Sequence, residues 1–400
     1  MKSYFLKTIL MFSVFSLLLT SKNLMAENNQ PTQKKIVGYY TDWSIYRKPS
    51  FKPSQINGNL LTHLNYAFVK VDANGNLALL DPWADIDYRD DWSTQRPFWG
   101  NFNQLVELRK KYPHLKTLFS VGGWSLSDTF SEMADNPNAR THFVQQCIQF
   151  ADLYQFDGID IDWEYPCFEE HHGRPQDKKN FTLLLSELYN AAKNHQPPLL
   201  VTIAAPASSF QYDNIELDQI ASYLDWINIM TYDFYGSWPS NLTTNHNAPL
   251  YPPTSGNPEL CLQRSVEAYL NHNIPPEKIV VGLAFYGRSF GGVQSSTDGL
   301  FASYSGVGGG TLEPGIYFYS DIKANLLSTY TRYWDDHAQV PYLYNAQKRE
   351  FISYDDERSI GIKTDYIKHN QLGGAMIWEL GFDTLPNCDL LKTINQHLKK

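Results

Sequence analysis

Between Phe156 and Pro166 the chain alternates apolar and acidic residues, in the order Ile159, Asp160, Ile161, Asp162, Trp163, Glu164. In an extended strand successive side chains point to opposite faces. Ile159, Ile161 and Trp163 therefore share a face suited to packing under helices, and Asp160, Asp162 and Glu164 share the other. Strand-like runs recur at residues 36–40, 63–69, 116–122, 158–164, 199–205, 226–232, 279–286 and 374–379, eight in all. Helical periodicity falls at 102–111, 139–154, 178–194, 217–222, 258–272, 359–370 and 385–398. Alternating β and α segments predict a parallel sheet covered by helices, and eight such units predict an α/β fold of the (β/α)8 TIM-barrel type. Barrels of this kind carry their chemistry at the C-terminal ends of the strands.

One connection breaks the rhythm. The stretch from the seventh strand to the eighth is too long for a single helix, with glycines from Gly306 to Gly310 and then Tyr317, Tyr319, Tyr330, Tyr333, Tyr342 and Tyr344. A structureless loop of that length is unusual in a compact domain, so residues 291–353 are expected to form a small α+β insertion subdomain. The barrel then comprises residues 35–290 and 354–400, with a short polar leader at 27–34. No internal repeat or low-complexity linker is visible.

The N-terminus changes the compartment. Lys2 and Lys7 precede an apolar run at 8–20, and Ala26 offers a cleavage point before Glu27, the pattern of a secretory signal peptide over residues 1–26. The run is short for a membrane span, and no later segment is long and apolar enough to supply one. An exported protein is expected, outside the cell or in a periplasm, with a mature chain that is monomeric. Removing residues 1–26 takes away three lysines and no acid, which moves the formal net charge from −9 to −12. An acidic chain without a basic run argues against nucleic acid and anionic membranes as partners, and is compatible with uncharged polysaccharide. Aromatic residues make up 14%, enough for sugar-stacking surfaces, although core usage explains most of them. Cys147, Cys167, Cys261 and Cys388 show no C-x-x-C spacing of a metal site. Export permits disulfides, and the sequence leaves three pairings and free buried thiols all open.

Three carboxyl groups about 6.6 Å apart along one face of a short apolar strand are costly unless they are used. They cannot all ionise comfortably, so their pKa values are pushed apart, which is how a carboxylic acid stays protonated near neutral pH. A solvated acidic edge or a hard-cation site is the plainer reading, but the flanking Ile and Trp residues argue for a buried strand. Polar and aromatic residues collect at the same strand ends: Tyr39 and Trp43, Phe68, Gly123 and Trp124, Tyr165, Met230 with Tyr232 and Asp233, Tyr286 with Arg288, and Trp378.

Asp157, Asp160, Asp162 and Glu164 fit the pattern D-x-x-D-x-D-x-E, and here the chain resembles the family 18 glycoside hydrolases, the chitinases. Ser120-Val121-Gly122-Gly123 is similar to that family's S-x-G-G motif, Met230-Thr231-Tyr232-Asp233 to its sixth-strand motif, and Trp378 to its tryptophan floor. The resemblance runs from about Ile36 to the C-terminus. It implies hydrolysis of β-1,4 bonds in chitin or chito-oligosaccharides by a retaining, substrate-assisted mechanism through an oxazolinium intermediate. It assigns Glu164 as general acid/base, Asp162 as the holder of the acetamido N–H, Asp160 as its proton-sharing partner and Tyr232 as donor to the acetamido oxygen. Asp233 would bind nearby sugar groups and Trp378 would stack under the distorted ring. Tyr39, Trp43, Phe68, Gly123, Trp124, Tyr165, Met230, Tyr286 and Arg288 would line the subsites, and Asp157 would be structural. No metal or cofactor is implied. The insertion resembles that of the deep-grooved subfamily, where it walls the cleft. Nearby alternatives are an endo-β-N-acetylglucosaminidase on N-glycans, an enzyme on peptidoglycan, and a chitin-binding lectin. Lectins of this kind typically lack the motif's glutamate, which is present here as Glu164.

Overall fold

The computed structural model describes residues 33–89 and 97–399. The expected signal peptide and most of the leader lie outside them. Eight parallel strands follow the sequence order: β1 (Lys35–Thr41), β2 (His63–Val71), β3 (Lys116–Gly122), β4 (Gly158–Asp162), β5 (Leu200–Ala205), β6 (Trp226–Ile229), β7 (Ile279–Ala284) and β8 (Gly374–Trp378). Each pairs with the next, and β1 pairs with both β2 and β8, so the sheet closes into a TIM barrel. Helices Gly100–Lys111, Pro137–Tyr154, Asp177–Asn194, Leu262–Asn271, Glu357–His369 and Asp389–Lys399 pack outside it.

The alternation in β4 does what its period demands. Ile159, Ile161 and Trp163 are buried on the outer face. There the Trp163 ring stacks on Phe130 at 5.3 Å and meets Phe181 edge-on at 5.5 Å. The inner face is polar where barrel interiors are usually filled by branched apolar residues. Asn65, Ser120, Asp160, Thr202 and Asn228 are all fully buried there. Asp157 stands at the opposite end of the strand. It accepts from Arg109, Lys116 and the Thr117 amide, which hold its carboxyl below the usual range against a burial that would raise it.

Three strands stop two or more residues short of the expected ends, each at the mouth. β4 loses its partners after Asp162, because β3 ends at Gly122 and its last partner in β5 is Ile203. Glu164 is thus carried two residues beyond the sheet, and its amide donates to Ser127 Oγ at 2.9 Å. β6 ends at Ile229, after which Thr231 and Tyr232 donate back to the carbonyls two residues earlier and the chain curls over the mouth. β7 ends at Ala284, and Tyr286–Gly291 leaves the barrel to pair antiparallel with Glu350–Ser353 and Ile316–Phe318.

That departure founds the second sheet, which also holds Gly306–Val307, Thr331–Asp335 and Val340–Asn345. Between β7 and β8 there is therefore a small antiparallel subdomain. Its first strand begins at Tyr286, inside the range read from sequence as barrel. The four cysteines are free thiols, with Cys147, Cys261 and Cys388 buried.

Candidate active site

The register of the barrel builds the site from its deepest residue upward. Ser120 on β3 and Thr202 on β5 are the direct register partners of Asp160. Both hydroxyls donate to its carboxyl, at 2.7 and 2.5 Å, joined by Tyr39 Oη at 2.6 Å and Asn228 Nδ2 at 3.3 Å. Burial raises the Asp160 pKa and the four donors pull it back.

Asp162 lies one step nearer the mouth, and its environment is the reverse. It is 3% exposed, and its Oδ1 has no hydrogen-bond partner. Burial first, then the charges of Glu164 and Asp160, push its pKa well above the ordinary carboxylate value. Its carbonyl oxygen, by contrast, accepts from the Gly123 amide at 2.7 Å.

Glu164 sits at the mouth. Burial and the charge of Asp233 raise its pKa to about 7, against hydrogen bonds from the Tyr165 side chain and the Trp124 amide. The strand thus holds one carboxyl saturated with donors, one with a free oxygen, and one poised near neutrality.

The glycines beside it serve packing. Gly122 and Gly123 both have positive φ, at 112° and 89°. A Cβ on Gly122 would stand 2.2 Å from the Asp162 carbonyl, and one on Gly123 2.6 Å from the Phe68 ring. No side chain fits either position.

Across the mouth the curl after β6 presents Met230 and Tyr232, both 9% exposed, and Asp233 at a φ of 57°. The Tyr232 hydroxyl points at Met376 Sδ, 3.7 Å away, a weak acceptor that a better one displaces. Asp233 is already engaged: Arg288 donates from Nε and Nη2 at 2.7 Å each, and Tyr286 Oη donates at 2.7 Å. The Arg288 guanidinium also lies over Trp238, 5.2 Å from the ring centroid.

Aromatic rings line the mouth on the β8–β1–β2 side. Trp378 packs on Phe68 at 5.8 Å with an interplanar angle of 22°, and on Tyr39 at 5.5 Å. Phe68 continues to Trp43 at 6.2 Å, and Tyr46 stacks on Trp83 at 5.8 Å beyond it. Trp43, Tyr46 and Trp83 are at least one-third exposed. Trp124, 51% exposed, stands apart from this row and meets Phe168 and His171 instead.

All the site residues expected from sequence therefore come to one mouth, though Gly123 serves through its backbone and Asp233 within an ion pair. Several others escaped sequence reading. Thr202 and Asn228 are ordinary strand residues until register places them around Asp160, where Ser120, read from sequence only as part of the S-x-G-G motif, joins them. Trp238 lay five residues beyond Asp233, in range of the same motif. Glu379, next to Trp378, is fully buried and paired with Arg47, which reaches it from the loop after β1. Asp42 at the start of the same loop and Asp85 are both buried, each with an unpartnered Oδ2. Among the described residues no three His, Cys, Asp or Glu side chains are grouped to hold a metal ion.

Residues 35–383 match the family model described as Glycosyl hydrolases family 18. Chitinase A1 of Niallia circulans is 39% identical over 87% of this chain, which spans only 56% of that longer protein. Among solved structures, chitinase ChiA74 from Bacillus thuringiensis has a TM-score of 0.87 and 36% identity, covering 92% of this chain and 70% of that one. The Ostrinia furnacalis Group IV chitinase, solved in complex with allosamidin, has a TM-score of 0.84 at 33% identity, covering 92% of this chain and 99% of that one.

Proposed function

The chain belongs to family 18 of the glycosyl hydrolases, and on that footing we propose that it is an exported, monomeric chitinase. Its substrates are chitin and chito-oligosaccharides, cut at β-1,4 bonds between N-acetylglucosamine residues by a retaining, substrate-assisted route. The observation that carries the mechanism is Asp162, a buried carboxyl with one oxygen unpartnered, standing between a saturated Asp160 and a poised Glu164. A carboxylate nucleophile would have to sit about 5–5.5 Å from the acid, across the scissile bond. Asp162 is on the strand that leads to Glu164, and Asp233 is held by Arg288 and Tyr286.

The substrate's own 2-acetamido oxygen then attacks the anomeric carbon while Glu164 protonates the departing glycosidic oxygen. Asp162 Oδ1 accepts the acetamido N–H and stabilises the oxazolinium ion, and Tyr232 turns its hydroxyl from Met376 to the acetamido oxygen. Glu164, now a carboxylate, takes a proton from water as that water opens the ring from the opposite face. Trp378 supports the distorted sugar, and the row through Phe68 and Trp43 receives the neighbouring rings by stacking.

The product's anomeric configuration tests the route. Two inversions give the β-anomer first by NMR, and a stable thiazoline mimic of the intermediate should inhibit. Glu164→Gln should keep oligomer binding and lose about 10²–10⁴-fold in rate. A first product of α configuration, or a Glu164→Gln enzyme within about tenfold of wild type, would remove this mechanism.

A further inference from the structure

The connection after β6 buries a run of polar residues in irregular structure. Thr244, Asn245 and His246 are fully buried and Asn247 is 1% exposed, yet none of the four lies in a helix or strand. A buried loop must find a partner for each of its backbone polar groups. Here partners come from the insertion subdomain. Thr244 Oγ1 donates to the Gly299 carbonyl at 2.6 Å, and its amide to the Ala302 carbonyl at 2.9 Å. His246 Nε2 meets Asp335 Oδ2 at 2.8 Å, and the Leu250 amide donates to the Ala338 carbonyl at 2.9 Å.

Asn247 faces both ways. Toward the insertion, its amide donates to Ser353 Oγ at 2.9 Å and its Nδ2 to the Tyr286 carbonyl at 3.4 Å. Toward the barrel, its Oδ1 accepts the Asp233 amide and its carbonyl accepts the Phe234 amide, each at 3.0 Å. All four polar groups are engaged, two on each side. An Asn side chain suits the place because it offers an acceptor to an N–H and a donor to a C=O at once. What it holds is a turn that does not hold itself. Asp233 has a φ of 57°, in the left-handed region that costs an L residue energy and persists only where the surroundings fix it. The Asp233 carboxylate is gripped by Arg288 and the Tyr286 hydroxyl. Ser353 is the register partner of Arg288. The backbone and the side chain of Asp233 therefore hang from one pair of strands in the second sheet.

We propose that Asn247 is a positioning residue, which mounts the curl after β6 on the insertion subdomain and so fixes Tyr232 and Asp233 against the mouth. This rests on the hydrolase reading above. The Tyr232 amide donates no farther than the Met230 carbonyl, two residues back, so the anchor one residue later is what fixes the direction of its side chain. Without Asn247 the Asp233 peptide relaxes, and the Tyr232 hydroxyl swings away from the acetamido oxygen. A displacement of about 1 Å at such a group costs up to about 10²-fold in rate. The insertion thereby acts on the chemical step, through a residue that never meets the sugar.

Steady-state kinetics on chitohexaose tests this. Asn247→Leu, similar in volume but without the amide, should lower kcat about ten- to a hundredfold with KM within about threefold, since the rings around Trp378 are untouched. Asn247→Asp should recover most of kcat at about pH 5, where burial keeps the new carboxyl protonated and it offers the same acceptor and donor. Ser353→Ala leaves the Asn247 side chain in place and should lose about three- to tenfold in kcat. It carries the test alone if Asn247→Leu does not fold. A kcat within about twofold of wild type in the folded variant, whatever its Tm, overturns the inference, and so does a rise in KM alone. A loss that Asn247→Asp leaves unrecovered also overturns it, because the defect then lies in packing. In each case wild-type turnover still upholds the hydrolase reading. A wild-type protein inert toward chitohexaose overturns that reading and this inference with it.

Discussion

Asp162 has an acidic neighbour on either side of it and no hydrogen-bond partner on Oδ1. Two buried carboxyls and a half-buried one in a row must share protons, and the environment of each decides which carries one. Asp160 has four donors that favour its charge, whereas Asp162 has none on that oxygen and is pushed well up by burial. Asp162→Asn keeps the shape and still accepts an N–H, but it brings no negative charge to the oxazolinium ion. Turnover of chitohexaose should fall by about 10²–10³-fold with affinity nearly unchanged, and a fall below about tenfold would show that the charge is not used. Glu164 must be protonated to act as the acid, and its pKa is raised to about 7. kcat/KM should therefore decline as pH rises through about 7. A profile flat to about pH 9 would place the essential proton on another group.

At the scale of elements, the loop after β1 joins the floor of the mouth to its wall. Arg47 pairs with Glu379, and its guanidinium lies 5.1 Å from Phe318 of the insertion and 4.7 Å from Phe382 beyond β8. Thr41 donates to the same Glu379 carboxyl at 3.0 Å. Removing one partner of a buried pair leaves the other charge uncompensated, so Arg47→Ala should cost about 3–5 kcal/mol of stability. Denaturant unfolding measures it, and a loss under about 1 kcal/mol would mean that Glu379 takes up a proton at no great cost. The same loop carries Asp42, whose pKa burial and then Asp85 raise to about 8, and Asp85 is itself raised to about 7, chiefly by burial. An acid whose folded pKa lies above its unfolded value loses stability as pH rises from the unfolded pKa to the folded one. Asp42→Asn should therefore gain in Tm over wild type progressively from about pH 4 to about pH 8. A gain that is flat with pH would show Asp42 to be ionised at no penalty.

At the scale of the whole molecule, the proposed export predicts a mature N-terminus near Glu27, and N-terminal sequencing of protein recovered outside the cytoplasm that still began at Met1 would refute it. The barrel was legible because short apolar runs separated by helical periodicity report strands buried on both faces, a local property of the chain. The acidic row of β4 was legible for the same reason: alternation alone puts Asp160, Asp162 and Glu164 on one face, whatever surrounds them. The second sheet was legible only as a connection too long for one helix, and its first strand, from Tyr286, was read as barrel. Pairing between Tyr286–Gly291 and Glu350–Ser353 spans some sixty residues, and nothing local announces it. Arg47 and Glu379 are more than three hundred residues apart, and Ser120, Thr202 and Asn228 become the donors of Asp160 only once β3, β5 and β6 stand in register. By itself the sequence determined the eight units, the inward carboxyls and the aromatic strand ends, since these follow from side-chain period and residue type. Tertiary structure alone decided which carboxyl is saturated, which keeps a free oxygen and which is poised near neutrality. Those states depend on burial and on donors that arrive from other strands.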